Sequence, residues 1–301
     1  MYFIDFFKSL LKSHRIPVIL YLAINVLIIT HVVNFYVTGG TEYFYWPSLF
    51  ISLVIYLISI MIALSPIGEW ILRFQTGCTR IKRVDYSEKF QACFNEVYAK
   101  AKSANPNLPD NIELFVNNDT SKNAFATGRR TICVTKGMLD VPEDEIKGVL
   151  GHEFAHIANH DTDLILVVVV GNMIITAMIL IARWTFRLIS IFGSAMNIFN
   201  RGSGNTTILA GALGDAVIAI MMWAWTKLGQ YLVLATGRAE EFYADEFSFR
   251  LGYSEGMCRF LDKYANGGKS KGVFAVLSSS HPATDDRIAR LQQLGCTYRS
   301  I

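Results

Sequence analysis

Long apolar runs alternate along this chain with stretches of ordinary globular patterning. A helix that crosses a bilayer needs roughly 20 mostly apolar residues. Four runs qualify: Pro17 to Val37, Trp46 to Leu64, Leu164 to Ala182, and a fourth drawn either from Ile208 to Thr226 or from Ala216 to Thr236. The third is uncharged throughout, whereas Asp215 and Lys227 bracket the most apolar part of the fourth. Between the second and third runs, Asp85 to Ala104 sets Phe90, Phe94, Val97 and Tyr98 at helical spacing, which predicts an amphipathic helix. "IELFV" (Ile112 to Val116) and "TICVT" (Thr131 to Thr135) are β-rich runs separated by turn residues, which predicts a small sheet. "VPEDEIKGVLGHEFAHIANH" opens with Pro142 and three acids, a well-signalled helix start. Two further helical patterns follow the fourth run, near Arg238 to Leu251 and Ser254 to Asn266, and "HPATDDRIARL" opens a last helix. The N-terminal "MYFIDFFKSLLKSH" has an apolar face suited to lying at a membrane interface. The expected organisation is an interfacial segment (1–14), two transmembrane helices (15–66), a globular part (67–163), a transmembrane hairpin (164–234) and a second globular part (235–301). The fold class is mainly α with a small β-sheet, in a multi-pass α-helical membrane protein.

Composition supports that division. Of the 301 residues, 52% are hydrophobic and only 18% charged, too apolar for an ordinary soluble domain. The net charge of +3 is spread among both signs, so no nucleic-acid footprint stands out. Five cysteines are scattered without a CxxC pair and read as reduced, core-type residues. No small-residue cleavage site marks a signal peptide. Lys8, Lys12 and Arg15 precede the first run, and Arg73, Arg80, Lys82 and Arg83 follow the second, while "TGGTEYFY" between them has no basic residue. The positive-inside rule therefore puts the N-terminus and the region after Leu64 in the cytoplasm. Arg183, Arg187 and Arg201 oppose this locally, so the third and fourth runs either span as a pair or dip in without crossing; spanning is the expectation adopted.

The chemistry sits in "VLGHEFAHIANHD", Val149 to Asp161. Residues four apart on a helix share a face, so His152 and His156 can point at one ion with Glu153 beside it. Ile146, Leu150, Phe154 and Ile157 on the other side would anchor the helix to a core. Two neutral histidines suit zinc, which in catalytic sites takes three protein ligands and lowers the pKa of a water to about 7. Glu153 is then placed to accept that water's proton. His160 lies two turns beyond His152, rotated by about 80°, and Thr162 occupies the place where the longer HExxHxxGxxH pattern needs a histidine. In "GRAEEFYAD", Glu241 is the stronger candidate for third ligand. Asp245, one turn on, would hydrogen-bond a ligand histidine from behind. Glu240 reads as part of a solvated face.

"GHEFAHIANHD", "RAEEFYAD", "NAFATG" and "SSHPATDDRIARL" together resemble the signature stretches of the HtpX-type membrane zinc metalloproteases, relatives of the Ste-type CAAX prenyl proteases. The resemblance covers the chain from about Asp85 onward plus the flanking membrane segments. It implies a gluzincin-type α+β domain, one zinc on His152, His156 and Glu241, and Glu153 as general base and acid. It also implies quality control of misfolded or damaged membrane proteins in the bacterial inner membrane, with the site facing the cytoplasm. Unfolded polypeptides and the lipid bilayer are the expected partners; the oligomeric state stays open. His160 stands where such proteins usually carry a small residue, and Glu240 where a basic one is common.

Two further expectations follow. Asn123 to Thr127 alternates polar with small or apolar residues, and the resemblance sets it beside the active-site helix. Asn123, Ala124, Phe125 and Ala126 are therefore expected to bind substrate as an edge strand. Of the six histidines, His281 remains once the zinc pair, His14, His31 and His160 are set aside. The resemblance places it at a family motif, and it is expected to donate to the oxyanion. Rival readings are a CAAX-type protease, whose known forms carry more membrane helices around a closed chamber, a non-catalytic zinc scaffold, and a transporter using Asp215 as an intramembrane charge.

Overall fold

The computed structural model describes residues 6–8, 10, 16–39, 41–196, 216, 219–232, 238–264 and 283–299. Asp215 and His281, and the expectations resting on them, lie outside these. Two long helices come first, α1 (Ile16–Thr38) and α2 (Trp46–Ala63), then a short α3 (Pro66–Gln75). α1, α2 and Asp161–Ile181 are long and apolar enough to cross a membrane. Of the fourth run, residue 216 and the stretch 219–232 are helical.

Apolar faces alone do not hold helices together in lipid, where the tails are as apolar as leucine; close packing and interhelical hydrogen bonds do. The spans supply both. Asn25 of α1 donates to Tyr56 of α2 at 3.3 Å and to Asn172 of the third span at 3.2 Å, and accepts from the Trp225 indole at 2.5 Å. Asn172 donates in turn to the Tyr21 hydroxyl. Tyr21 stacks on Trp225, and Ser59 donates to the Gly171 carbonyl at 3.0 Å. From the N-terminal segment, Phe6 and Leu10 are buried in the same cluster.

After α3 the chain enters the globular part. Strand β1 (Thr79–Arg80) leads to a helical stretch in which Val84–Tyr86 passes through a π-helical turn, Ser87–Gln91, into α4 (Ala92–Ala104). The sequence predicts one uninterrupted helix from Asp85; the structure inserts this π turn, and Phe90, Phe94 and Val97 are buried as the helical spacing expects. Then come β2 (Glu113–Asn117), β3 (Ala124–Ala126) and β4 (Thr131–Thr135). The sheet order is β1-β2-β4-β3, with β2 and β4 parallel and both outer strands antiparallel to their neighbours, so β3 is an edge among the described residues.

A 3₁₀ turn, Lys136–Asp140, feeds α5 (Glu143–Ala158), which packs Ile146, Leu150, Phe154 and Ile157 into the core. The third span then begins as α6 (Asp161–Ile165), passes a π turn (Leu166–Gly171) and continues as α7 (Asn172–Met196). It does not stop at Ala182. At 1.5 Å per residue the rod is about 54 Å long, against a hydrocarbon core of about 30 Å. Arg183 and Arg187 therefore ride on a helix rather than in a connecting loop. Helices α8 (Arg238–Arg250), α9 (Ser254–Tyr264) and α10 (Thr284–Gln293) complete the domain. All five cysteines are free, with the Cys258 and Cys296 sulfurs 3.7 Å apart.

α5 and α9 approach each other at backbone distance. A Cβ on Gly256 would strike the Asp144 carbonyl, and one on Gly148 would strike the Met257 backbone. Neither obstacle is a flexible side-chain tip. Gly256→Ala should therefore destabilise the domain by about 1–3 kcal/mol, as overpacking does, seen as a lower midpoint in thermal unfolding. An unchanged midpoint would mean the helices sit further apart than described.

Candidate metal centre

The site is built on α5 and closed by α8. One turn apart on α5, His152 and His156 bring their Nε2 atoms within 3.1 Å of each other. Glu241, in the first turn of α8, sets Oε2 3.4 Å from His152 Nε2 and Oε1 3.4 Å from His156 Nε2. The three donor atoms lie within 4.8 Å of one another. His152 and Glu241 are buried.

Each imidazole is oriented from behind by a carboxylate. Asp245 Oδ1 is 2.8 Å from His152 Nδ1, and Asp161 Oδ2 is 3.0 Å from His156 Nδ1. An ionised carboxylate holds the ring proton on Nδ1 and leaves the lone pair on Nε2. Two lone pairs 3.1 Å apart cannot bond to each other, and Glu241 adds a third acceptor; a cation resolves all three. Two tetrahedral nitrogen ligands at about 2.0–2.1 Å from zinc would stand about 3.3 Å apart, close to the separation found. The donor set fits zinc.

The electrostatics agree. Burial alone would lower the pKa of both histidines, but Asp245 and Glu241 around His152, and Asp161 and Glu241 around His156, reverse this and hold both above the usual imidazole value. Burial would raise Asp245, yet the Arg287 guanidinium keeps it below the ordinary carboxylate range. Arg287, on α10, donates to Asp245 through Nε at 2.7 Å and Nη2 at 2.6 Å, and its Nη1 lies 3.5 Å from Glu241. Nη2 also approaches His152 Nδ1 at 3.2 Å. Both are donors in this tautomer, so that approach is a shared neighbourhood around Asp245 rather than a bond.

Glu153 is buried beside the histidines, and its Oε2 accepts from the Ala126 N–H of β3 at 2.8 Å. In the β3–β4 ladder, Thr127 donates to the Thr131 carbonyl and Thr135 to that of Asn123. By the alternation of an antiparallel pair, Asn123, Phe125 and Thr127 turn their backbone toward β4, while Ala124 and Ala126 turn theirs outward, toward α5. Asn123 also receives Thr135 Oγ1 as an acceptor for its own N–H, at 3.0 Å. Thus β3 stands next to Glu153, whereas His281 lies outside the described residues.

Comparison with known proteins now gives the site its family. Residues 87–294, more than half of the chain, match Peptidase family M48. The chain belongs to that family. It is 30% identical over 249 residues to the Protease HtpX homolog of Bifidobacterium longum, covering 72% of this chain and 74% of that protein. It is 28% identical over 246 residues to the Protease HtpX of Shewanella denitrificans, covering 75% and 81%. Among solved structures, S. mikatae Ste24p aligns with 90% of this chain at 18% identity and a TM-score of 0.39; the chain spans 63% of that protein's length. With its candidate spanning helices, this M48 peptidase is a membrane metalloprotease of the HtpX type.

Two expectations need correction. Glu240 is not on a solvated face: it is buried, because α8 packs against α5 on one side and α9 and α10 on others. His160 does not continue the helix. α5 ends at Ala158, and His160 adopts a left-handed conformation with φ 59° that turns the chain into the third span. Its ring nitrogen lies 3.8 Å from Asp163, and the candidate donor set comprises only His152, His156 and Glu241 among the described residues. Sequence reading missed Asp161 and Arg287. The signal for Arg287 is its position one turn before Leu291, on the buried stripe of α10, where an aliphatic residue is expected.

Glu241→Ala should strip most of the metal, measured by elemental analysis of purified protein, whereas Glu240→Gln should keep it. The reverse order would assign the other carboxylate. Metal uptake should also release protons at neutral pH. The metal-free imidazoles hold their protons to a higher pH than usual, and a bound cation must displace them. Affinity therefore rises with pH until the raised pKa values are passed. Calorimetry in buffers of different ionisation enthalpy reads this directly; a buffer-independent heat at pH 7 would contradict it.

Proposed function

We propose that the chain is a zinc-dependent endopeptidase, with one zinc per chain, acting on misfolded or damaged membrane proteins at the cytoplasmic face of a bacterial inner membrane. The observation that carries the chemistry is the juxtaposition of three convergent donors with a buried glutamate that touches an edge strand. His152, His156 and Glu241 would hold the ion, with Asp245 and Asp161 fixing the imidazoles. Bound there, zinc supplies a Lewis acid that polarises a carbonyl and makes a water acidic near neutral pH.

The protein's own groups do the rest. Glu153 takes the proton of the attacking water and passes it to the leaving amine, a transfer contributing typically 10²–10⁴-fold. Peptide extended along β3 would meet the outward backbone of Ala124 and Ala126, an added strand that presents a carbonyl to the site. The Ala126 N–H that now bonds Glu153 becomes available to substrate once the carboxylate turns to the water. Arg287 holds Asp245 ionised. Sidedness is supported by the basic residues flanking the first two spans, and the bacterial setting by the origin of the HtpX relatives.

Glu153→Gln separates base from ligand. The variant should retain zinc, since Glu153 is not in the donor set, and lose turnover of an unfolded protein substrate by at least about 10²-fold. Wild-type turnover in a zinc-loaded Glu153→Gln protein would overturn the mechanism. The same variant, used as a trap in native membranes, should collect membrane-protein substrates; retention of soluble proteins alone would overturn the substrate class.

A further inference from the structure

Helix α3 has its polarity reversed. Ser65 caps it by accepting from the Ile67 N–H, and Pro66 opens it. Its two charged residues both turn inward. Glu69 is buried, accepts from the Arg129 N–H at 3.0 Å, and lies against Gly128 so closely that a Cβ there would strike it. Arg73 donates to Thr131 Oγ1 of β4 at 2.9 Å and lies over the Phe115 ring of β2. The outward face is apolar: Ile67 is 60% exposed, Trp70 60% and Phe74 78%, and the two rings stack 6.0 Å apart. No charged residue shares that face. A helix with acids and bases inside and aromatic rings outside is the opposite of one that faces water.

Two observations say what covers it. Only Leu64 and Ser65 separate α3 from the span α2, and Gly68 is pressed against the Ala63 carbonyl, so α3 folds back tightly from a membrane helix. Its inner residue Leu72 packs with Leu166, Val169 and Val170 of the third span, and Gln75 Nε2 lies 3.0 Å from Met173 Sδ. α3 thus sits alongside the first turns of a spanning helix, and its apolar face continues the lipid-facing surface of α2 and α7, where Ile58, Met61 and Met173 are exposed.

We infer that the Ile67–Trp70–Phe74 face of α3 is a bilayer-docking surface, seated in the interfacial layer of the leaflet nearest the metal centre. Tryptophan and other aromatic rings favour that layer, and an amphipathic helix buries its apolar side about 5–10 Å into it. The leaflet follows from chain order, because the third span starts directly after α5. The inward charges give the seat a consequence: Glu69 and Arg73 reach the loop after β3 and strand β4, so the helix resting on lipid also holds the edge strand beside Glu153.

The test is nitroxide accessibility in the full chain, reconstituted in phosphatidylethanolamine–phosphatidylglycerol vesicles. Labels are placed singly through Ile67→Cys, Trp70→Cys and Phe74→Cys in a Cys78→Ser background, the other four cysteines being buried. Tyr43→Cys, in the fully exposed connection between α1 and α2, and Leu57→Cys, on the outer side of α2, are the aqueous and lipid references. The oxygen-to-nickel-chelate collision ratio at all three α3 positions should be several-fold above that at Tyr43 and approach that at Leu57. A ratio matching Tyr43 would make this a water-facing surface. Suppression of both reagents would mean that a second copy or another protein covers it, and would equally overturn the proposal. Should a label unfold the protein, native Trp70 serves instead: brominated acyl chains should quench a fluorescence component that Trp70→Phe lacks, and equal quenching of both proteins would contradict the seat.

Discussion

Burying charge is costly unless every charge is answered, and the centre of this protein is organised by that constraint. Among the described residues, Glu153, Asp161, Glu241 and Asp245 gather around two imidazoles and the Arg287 guanidinium. Among the described residues, Arg287 is the fixed positive charge that faces these carboxylates when both imidazoles are neutral. The carboxylates raise the pKa values of both histidines, and a divalent cation between the imidazoles would take the place of those protons. Metal affinity, histidine orientation and the need for Arg287 are thus one problem in electrostatics. Removing one partner of such a buried set typically costs 3–5 kcal/mol, so α5, α8 and α10 are held together by the chemistry they enclose.

The membrane elements belong to the same construction. Just beyond the edge strand, Gly128 and Arg129 are fastened to the third span. Thr162 donates to the Gly128 carbonyl at 3.0 Å, and Arg129 forms a fully buried, two-bond ion pair with Asp163 at the head of the third span. α5 runs directly into that span through His160. Glu153, the edge strand and the third span are therefore linked by a short path of buried contacts.

Much of this was legible in the sequence, for identifiable reasons. The α5 helix declares itself through Pro142, three acids in its first turn and histidines at a four-residue spacing. The paired β2 and β4 are read from β-branched runs. Glu241 was singled out from Glu240 by Asp245 one turn further along the same helix, and the resemblance to the family motifs implied the same ligand. That Glu240 is also buried could not be read, since "RAEEFYADEFSF" has no single apolar stripe and α8 is enclosed on several sides. A left-handed His160 is uncommon for any residue other than glycine. β1, with two residues, is too short to carry a pattern. Arg287, Glu69 and Arg73 were hidden because each is a charge on a buried face, answered by partners distant in sequence.

Zinc K-edge X-ray absorption on the purified, zinc-loaded protein reads the ligand set of the centre directly. Four light-atom neighbours at about 2.0–2.2 Å are expected, with the outer-shell scattering of two imidazoles and no sulfur. A neighbour at about 2.3 Å would mean that one of the five cysteines binds the metal. That result, or a signal containing fewer than two imidazoles, would contradict the centre described here.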